Sequence, residues 1–191
     1  MSIATFVFLG IFAALFLYAV TMYNNFIRLK NNVAQAWSNI DVLLKQRHDE
    51  LPKLVDACKQ YMQHERGVLE KVTQARAAVS QAREAGDVAA VGAAETQLRA
   101  GLMNLFAVAE NYPELRANEN FQHLQNRISQ LEAQIADRRE FYNDSVNANN
   151  IRIEQFPDNV IATLFRFEPK LLLKFTVSET RDVNVKALFN T

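Results

Sequence analysis

An uncharged apolar run, IATFVFLGIFAALFLYAV, occupies Ile3 to Val20 of the 191-residue chain. The first charged side chain in the sequence is that of Arg28. About 20 apolar residues, each rising about 1.5 Å in a helix, cross a hydrocarbon core of about 30 Å. The run therefore predicts one membrane-spanning helix, and residues 1–23 are assigned to this anchor.

A cleaved secretory signal is the competing interpretation of the same run. Such a signal begins with basic side chains and ends at small residues. Here residues 1–6 contain no basic side chain, and the run continues into Tyr18 and Tyr23. Aromatic residues at that end suit the membrane interface, so we expect a retained anchor.

The residues around the run suggest its orientation and a helix contact. Basic residues follow the run and none precedes it, with Arg28 and Lys30 the nearest. Because basic residues favour the cytoplasmic side, we expect the N-terminus outside and the rest of the chain in the cytoplasm. Gly10 and Ala14 have the spacing that lets two membrane helices approach closely, although short apolar spans also contain such pairs by chance.

The overall composition limits the classes of function. Lys plus Arg and Asp plus Glu both number 21, so the formal net charge is zero. The chain lacks the basic excess of a nucleic-acid-binding protein, and we expect no nucleic-acid partner. Only five Gly and four Pro occur, which disfavours a sheet-rich fold. The single cysteine, Cys58, excludes an intramolecular disulfide.

Apolar residues recur at helical spacing through residues 24–165 and so form an apolar stripe along each predicted helix. In the second helix the spacing alternates between three and four residues, as in a coiled coil. Pro52 disfavours helical geometry before it, so we expect a break or kink near Asp49 to Leu51. The sequence Ala85-Gly86-Asp87 predicts a tight turn and an antiparallel third helix. A long fourth helix is predicted over residues 119–154. The fold class is therefore all-α, a single membrane helix followed by an antiparallel bundle of long helices.

The last segment, residues 166–191, is richer in β-branched and aromatic residues than the bundle. We expect an extended tail that docks on the bundle or on a neighbouring subunit, and a mobile terminus is the alternative. The residues proposed for contact with another copy or a partner are Leu171, Leu172, Leu173 and Phe175.

Patterns for catalysis or metal binding are missing from the sequence. No Glu is followed three residues later by His, and the zinc-protease motif His-Glu-x-x-His is absent. We interpret His48, His64 and His123 as surface residues and Cys58 as a small buried hydrophobe. Nucleophile and nucleotide-binding motifs are also absent. We therefore predict no enzymatic activity, no cofactor and no metal site.

Three charged residues interrupt the apolar stripes, namely Glu65, Glu95 and Arg138. Long side chains at such positions can extend to solvent. The alternative is a buried ion pair between Arg138 and one of the two glutamates, which would fix the helix register.

Several collinear segments resemble the bacterial LemA family over roughly residues 20–170. They are DELPKLV at 49–55, HE at 64–65, VTQAR at 72–76, ENYPELRANENF at 110–121, RREFYNDSV at 138–146 and FPDNVIA at 156–162. The chain departs from the family pattern at Glu50 and Lys53 and after Pro169. The resemblance implies a bacterial inner-membrane protein with one N-terminal span, a helical bundle and no established catalytic residue.

The resemblance also implies association with membrane metalloproteases of the HtpX type, with TPM-domain proteins and, in magnetosome-forming bacteria, with membrane remodelling. We expect a non-enzymatic inner-membrane scaffold that self-assembles into a homo-oligomer. The alternatives are an accessory regulator of a membrane metalloprotease and a hydrolase with its site between subunits. A set of asparagines forms either a polar contact face or ordinary solvated surface: Asn143, Asn147, Asn149 and Asn150.

Overall fold

The structure is a computed structural model that describes residues 2–174. This range contains α-helices and no strand: α1 (Ile3–Lys59), α2 (Arg66–Glu84), α3 (Val88–Ala109), α4 (Pro113–Ala117), α5 (Glu119–Glu154) and α6 (Asp158–Leu164). The predicted all-α class is confirmed, with a long apolar N-terminal helix followed by further long helices.

The described residues form two compact units. The span unit contains residues 2–43 and 134–172, and the core unit contains residues 44–133, 173 and 174. Helices α1 and α5 contribute residues to both units. The division predicted from the sequence, with an anchor at 1–23, a bundle at 24–165 and a tail at 166–191, stays a prediction.

Helix α1 continues through Pro52 and ends at Lys59, so a break near Asp49 to Leu51 is wrong, while a kink there stays a prediction. Proline has no N–H, and the carbonyl of His48, four residues earlier, therefore loses its helical donor. The side chain of Arg76 on α2 replaces that donor, since its Nε lies 2.9 Å from the His48 oxygen. A tertiary hydrogen bond thus satisfies the carbonyl that the proline frees.

The turn between α2 and α3 has the predicted form. Gly86 adopts a φ of +66°, the left-handed conformation that glycine tolerates best. The Asp87 N–H donates to the Ala82 carbonyl at 3.1 Å and closes the end of α2. The Asp87 side chain then accepts from the Ala90 N–H at 3.0 Å and caps α3. So short a turn brings α3 back along α2.

The core unit is organised around one apolar cluster. Burying each large aliphatic or aromatic side chain in it contributes about 1.5–3 kcal/mol, so this cluster is the main source of stability. Its members follow the predicted stripes closely: Leu51, Leu54, Val55, Cys58, Met62, Leu69, Val72, Ala75, Val79, Ala94, Leu98, Leu102, Leu105, Ala109, Leu115, Phe121 and Ile128.

The span unit has a smaller apolar interior. Trp37 packs against Tyr142 of α5, with ring centroids 5.5 Å apart. Asp158 is the first residue of α6, and its carboxylate pairs with Arg152 Nε at 2.6 Å. The other buried apolar residues of this unit are Met22, Phe26, Val33, Ala36, Ile40, Ile135, Val146 and Ala162.

Candidate functional site

The apolar run at the start of α1 is exposed throughout. An 18-residue window in this helix has a mean hydropathy of 2.5, and none of it is buried within the structure. Length and composition therefore fit a membrane-spanning helix. Gly10 and Ala14 both lie on this exposed segment, and no atom comes within 4 Å of a Cβ added at Gly10. Their contact with a second span stays a prediction.

A buried charge cluster lies in the core unit. Arg47 of α1 has an exposed fraction of 1%, and its guanidinium donates to the carboxylates of Glu95 on α3 and Glu132 on α5. Glu95 is fully buried, while Glu132 is partly exposed. Arg99 joins the cluster through its Nε, 3.3 Å from Glu132 Oε2. One guanidinium thus ties together three helices that are far apart in sequence.

The electrostatics of the cluster follow from its burial. Burial lowers the pKa of Arg47, but the charges of Glu95 and Glu132 outweigh this effect, so the net shift is upward and the guanidinium stays charged. Burial also raises the pKa of Glu95, an effect that Arg47 partly offsets. Since a buried pair must repay its desolvation, such a cluster specifies helix register more than it adds stability.

The alternative of an ion pair between Arg138 and a glutamate is wrong, since Arg138 is exposed on α5, as expected of a side chain that extends to solvent. Glu95 does lie in a buried ion pair, and its partner is Arg47. Glu65 is half-buried at the residue before α2 and is not part of the cluster. The signal for Arg47 was present in the sequence, since it continues the α1 stripe three residues after Leu44.

The three histidines and Cys58 do not form a reactive site among the described residues. His64 and His123 are exposed as predicted, whereas His48 is half-buried and its Nε2 lies 2.7 Å from an Arg76 nitrogen. Cys58 is buried, and burial raises the pKa of its thiol to about 12, which keeps it protonated and unreactive. Within residues 2–174, no group of three His, Cys, Asp or Glu side chains is placed to hold a metal ion.

Lys170 and Leu171, in the segment after α6, are bonded in the span unit through their backbone groups. The side-chain amide of Asn150 accepts from the Lys170 N–H at 2.8 Å and donates to the Lys170 carbonyl at 2.9 Å. The Tyr142 hydroxyl donates to the Leu171 carbonyl at 2.9 Å. Asn149 is buried next to it, so two of the four asparagines proposed as surface belong to the interior or to this contact.

In the core unit, Leu173 and Lys174 pack next to Gly92 of α3. Leu173 is buried, and a Cβ added at Gly92 would lie 2.4 Å from the Lys174 carbonyl oxygen. Glycine is therefore required for this close approach. Leu171 is exposed and Leu172 is half-buried, while Phe175 lies outside the described residues. A role for these leucines in contacting another copy stays a prediction.

The chain is similar to a known protein family and to individual proteins from two bacteria. The pattern of the LemA family matches residues 36–187 of the chain. The chain is 24% identical over 172 residues to magnetosome proteins MamQ 1 and MamQ 2 of Paramagnetospirillum magneticum, and 23% identical to magnetosome protein MamQ of Magnetospirillum gryphiswaldense. In each case the similarity covers 76% of this chain and 62% of the relative, so the chain spans less than two thirds of the relatives it matches. The family pattern covers most of the sequence, and the chain belongs to the LemA family.

Proposed function

We propose that this protein is a non-enzymatic, membrane-anchored scaffold that self-assembles into a homo-oligomer. The observation that carries the proposal is that one uninterrupted helix, Ile3–Lys59, contains both a fully exposed apolar segment and residues of a packed core. An exposed apolar segment of this length requires a lipid environment. Such a helix fixes a folded surface to a bilayer without a flexible connection.

The charged groups in the core unit support an interaction role rather than a catalytic one. The acidic and basic side chains of the buried cluster form ion pairs with one another. Because Arg47 and Glu95 are buried, a substrate could not reach them. The name of the matched relatives, magnetosome proteins, is in keeping with a structural task within a larger assembly. We place the protein in the bacterial inner membrane, with the bundle in the cytoplasm.

The mass of the full-length protein in detergent, measured by light scattering, tests self-assembly. We expect a discrete oligomer that becomes smaller in a Gly10→Leu/Ala14→Leu variant, because larger side chains keep two spans apart. Ala4→Leu is the matched control, since it adds the same side chain away from the Gly10–Ala14 face. A monomer in every case would overturn the scaffold proposal and favour an accessory regulator of a membrane metalloprotease.

The predicted orientation has its own test. A cysteine introduced before Ile3 is expected to react with a membrane-impermeant thiol reagent on intact cells. Cys58 is replaced by Ala in this and every other labelled variant, so that the introduced thiol alone can react. Labelling only after the membrane is opened would contradict the cytoplasmic placement of the bundle.

A further inference from the structure

Helix α6 and Phe156, two residues before it, carry an exposed apolar stripe. Val160 and Leu164 lie four residues apart in α6, so they share one side of the helix, and Phe156 lies in the turn before it. The exposed fractions of Phe156, Val160 and Leu164 are 83%, 58% and 70%. Asp158 and Ala162, on the other side, are buried in the span unit. The short helix thus buries Asp158 and Ala162 and exposes Val160 and Leu164, so two large apolar side chains face outward where a water-facing helix carries polar ones.

Aromatic contacts place the end of α6 next to the end of the apolar run. The ring of Phe165 lies 4.7 Å from that of Tyr23 between centroids. Phe167 lies 5.8 Å from Tyr23 and stacks on Phe26 at 4.8 Å. Tyr23 follows Val20, the last residue of the run, by three residues, or about 4.5 Å of helix. The polar headgroup region adds several ångströms beyond each side of the hydrocarbon core, so the C-terminal end of α6 is at the depth of that region.

Exposed apolar area of this kind has two possible fates, contact with lipid or contact with protein. The stripe lies beside a segment that already requires lipid, so a bilayer around the run reaches it without any further molecule. The exposed charges nearby are of both signs, with four basic residues (Arg28, Lys30, Arg166 and Lys170) and two acidic ones (Glu154 and Glu168). Such a mixture supplies no strong attraction to anionic headgroups, and the burial of apolar side chains must provide the binding energy.

We propose that Phe156, Val160 and Leu164 insert into the membrane interface beside the span, as a second contact of the protein with the bilayer. The partner is a lipid surface, bound through its acyl-chain boundary rather than through headgroup charge. This inference rests on membrane anchoring as stated above and is independent of self-assembly. The contact fixes the rotation of the span unit about the bilayer normal, which a single helix leaves free.

Fluorescence depth measurements on the full-length protein test the proposal. The probe is an environment-sensitive dye on a single cysteine, introduced as Val160→Cys, in phosphatidylcholine vesicles whose lipids carry a nitroxide near the headgroup. We expect blue-shifted emission, quenching by the nitroxide and protection from aqueous iodide. Adding Phe156→Asp and Leu164→Asp is expected to reduce the nitroxide quenching at position 160 at least twofold.

Two matched positions make the result interpretable. Phe141→Cys is the control, because Phe141 is also exposed in the span unit but precedes Tyr142, whose ring contacts Trp37. Trp37 lies 14 residues after Tyr23, about 21 Å further along α1, so the dye at 141 is expected to remain in water. Phe12→Cys reports on the span itself and is expected to be quenched by a nitroxide deep in the acyl chain.

Each other outcome overturns the inference. If position 12 is quenched while position 160 behaves like position 141, the span is anchored but the stripe is not in the membrane. Blue-shifted emission at 160 without nitroxide quenching would mean that protein, not lipid, covers the stripe. An unquenched dye at position 12 would remove the anchoring on which both this inference and the proposed function depend.

Discussion

The two units depart from the usual distribution of polar and apolar residues in opposite directions. The core unit buries charge, with Arg47 and Glu95 almost wholly removed from solvent. The span unit exposes apolar side chains along the run at 3–20 and on α6. The buried charges pair with opposite charges within the same unit, although Arg47 Nε and Glu95 Oε2 have no hydrogen-bond partner among the described residues. The exposed apolar side chains have no such cover within the described residues. The first feature bears on folding, and the second bears on the proposed membrane contact.

The largest effect is expected from breaking the buried cluster. Arg47→Met leaves Glu95 buried without its partner and is expected to lower the free energy of unfolding by about 3–5 kcal/mol. Removing both charges, as Arg47→Met/Glu95→Met, should restore most of that loss. Urea denaturation followed by circular dichroism measures the change. Arg138→Met is the control, since this side chain is exposed; an equal cost for the two single variants would contradict the assigned ion pair.

A smaller effect is expected where the last described segment meets α3. Gly92→Ala forces the new Cβ against the Lys174 carbonyl oxygen and is expected to cost about 1–3 kcal/mol, as overpacking does. Gly67→Ala is the matched control, because open space surrounds that helical position. The control should be neutral or stabilising by up to about 1 kcal/mol. Faster cleavage after Lys174 by trypsin in Gly92→Ala alone would show that the segment had been displaced.

The hydrogen bond from Arg76 to the His48 carbonyl, which replaces the one lost at Pro52, can be tested by its coupling to Pro52. Arg76→Met leaves the His48 carbonyl without a donor and is expected to cost about 1–3 kcal/mol. Pro52→Ala restores the backbone donor, so Arg76→Met should cost less in that background. Denaturation of the four proteins of this double-mutant cycle gives the coupling energy. Strict additivity would mean that Arg76 does not substitute for the missing N–H.

The smallest effect is a pH dependence from His48. Burial, and then the charge of Arg76, lower the pKa of this imidazole below its usual 6.5. Below pH 6.5 the unfolded chain therefore binds a proton that the folded protein takes up only at lower pH, and stability falls as the pH falls. Melting temperatures of the wild type and His48→Gln between pH 8 and 5 should diverge below about pH 6.5. Parallel curves would contradict this shift.

The sequence was sufficient for the helices but not for the pairing of charges. The apolar stripes, the turn at Gly86 and the capping role of Asp87 follow from local rules and are present in the structure. The break expected near Pro52 is absent, and Arg47 continues the apolar stripe of α1 three residues after Leu44. The bond that keeps the helix intact comes from Arg76, and no local rule contains it.

The exposed stripe on α6 could not be predicted from the sequence either. Residues 160–165 are apolar on nearly every side, so periodicity alone does not say which side faces inward. The inward side is fixed by the pairing of Asp158 with Arg152 and by the contact of Phe165 with Tyr23. Both depend on how α1, α5 and α6 pack, which is information that a single sequence does not hold.

The side-chain amide of Asn150 affects which substitutions the segment around Lys170 can tolerate. It engages both the N–H and the carbonyl of Lys170, and Tyr142 takes the next carbonyl, so this segment is recognised by its main chain. Substitution of the side chains at 170 and 171 leaves those three hydrogen bonds untouched. A segment held in this way can change the side chains at these two positions without losing its position.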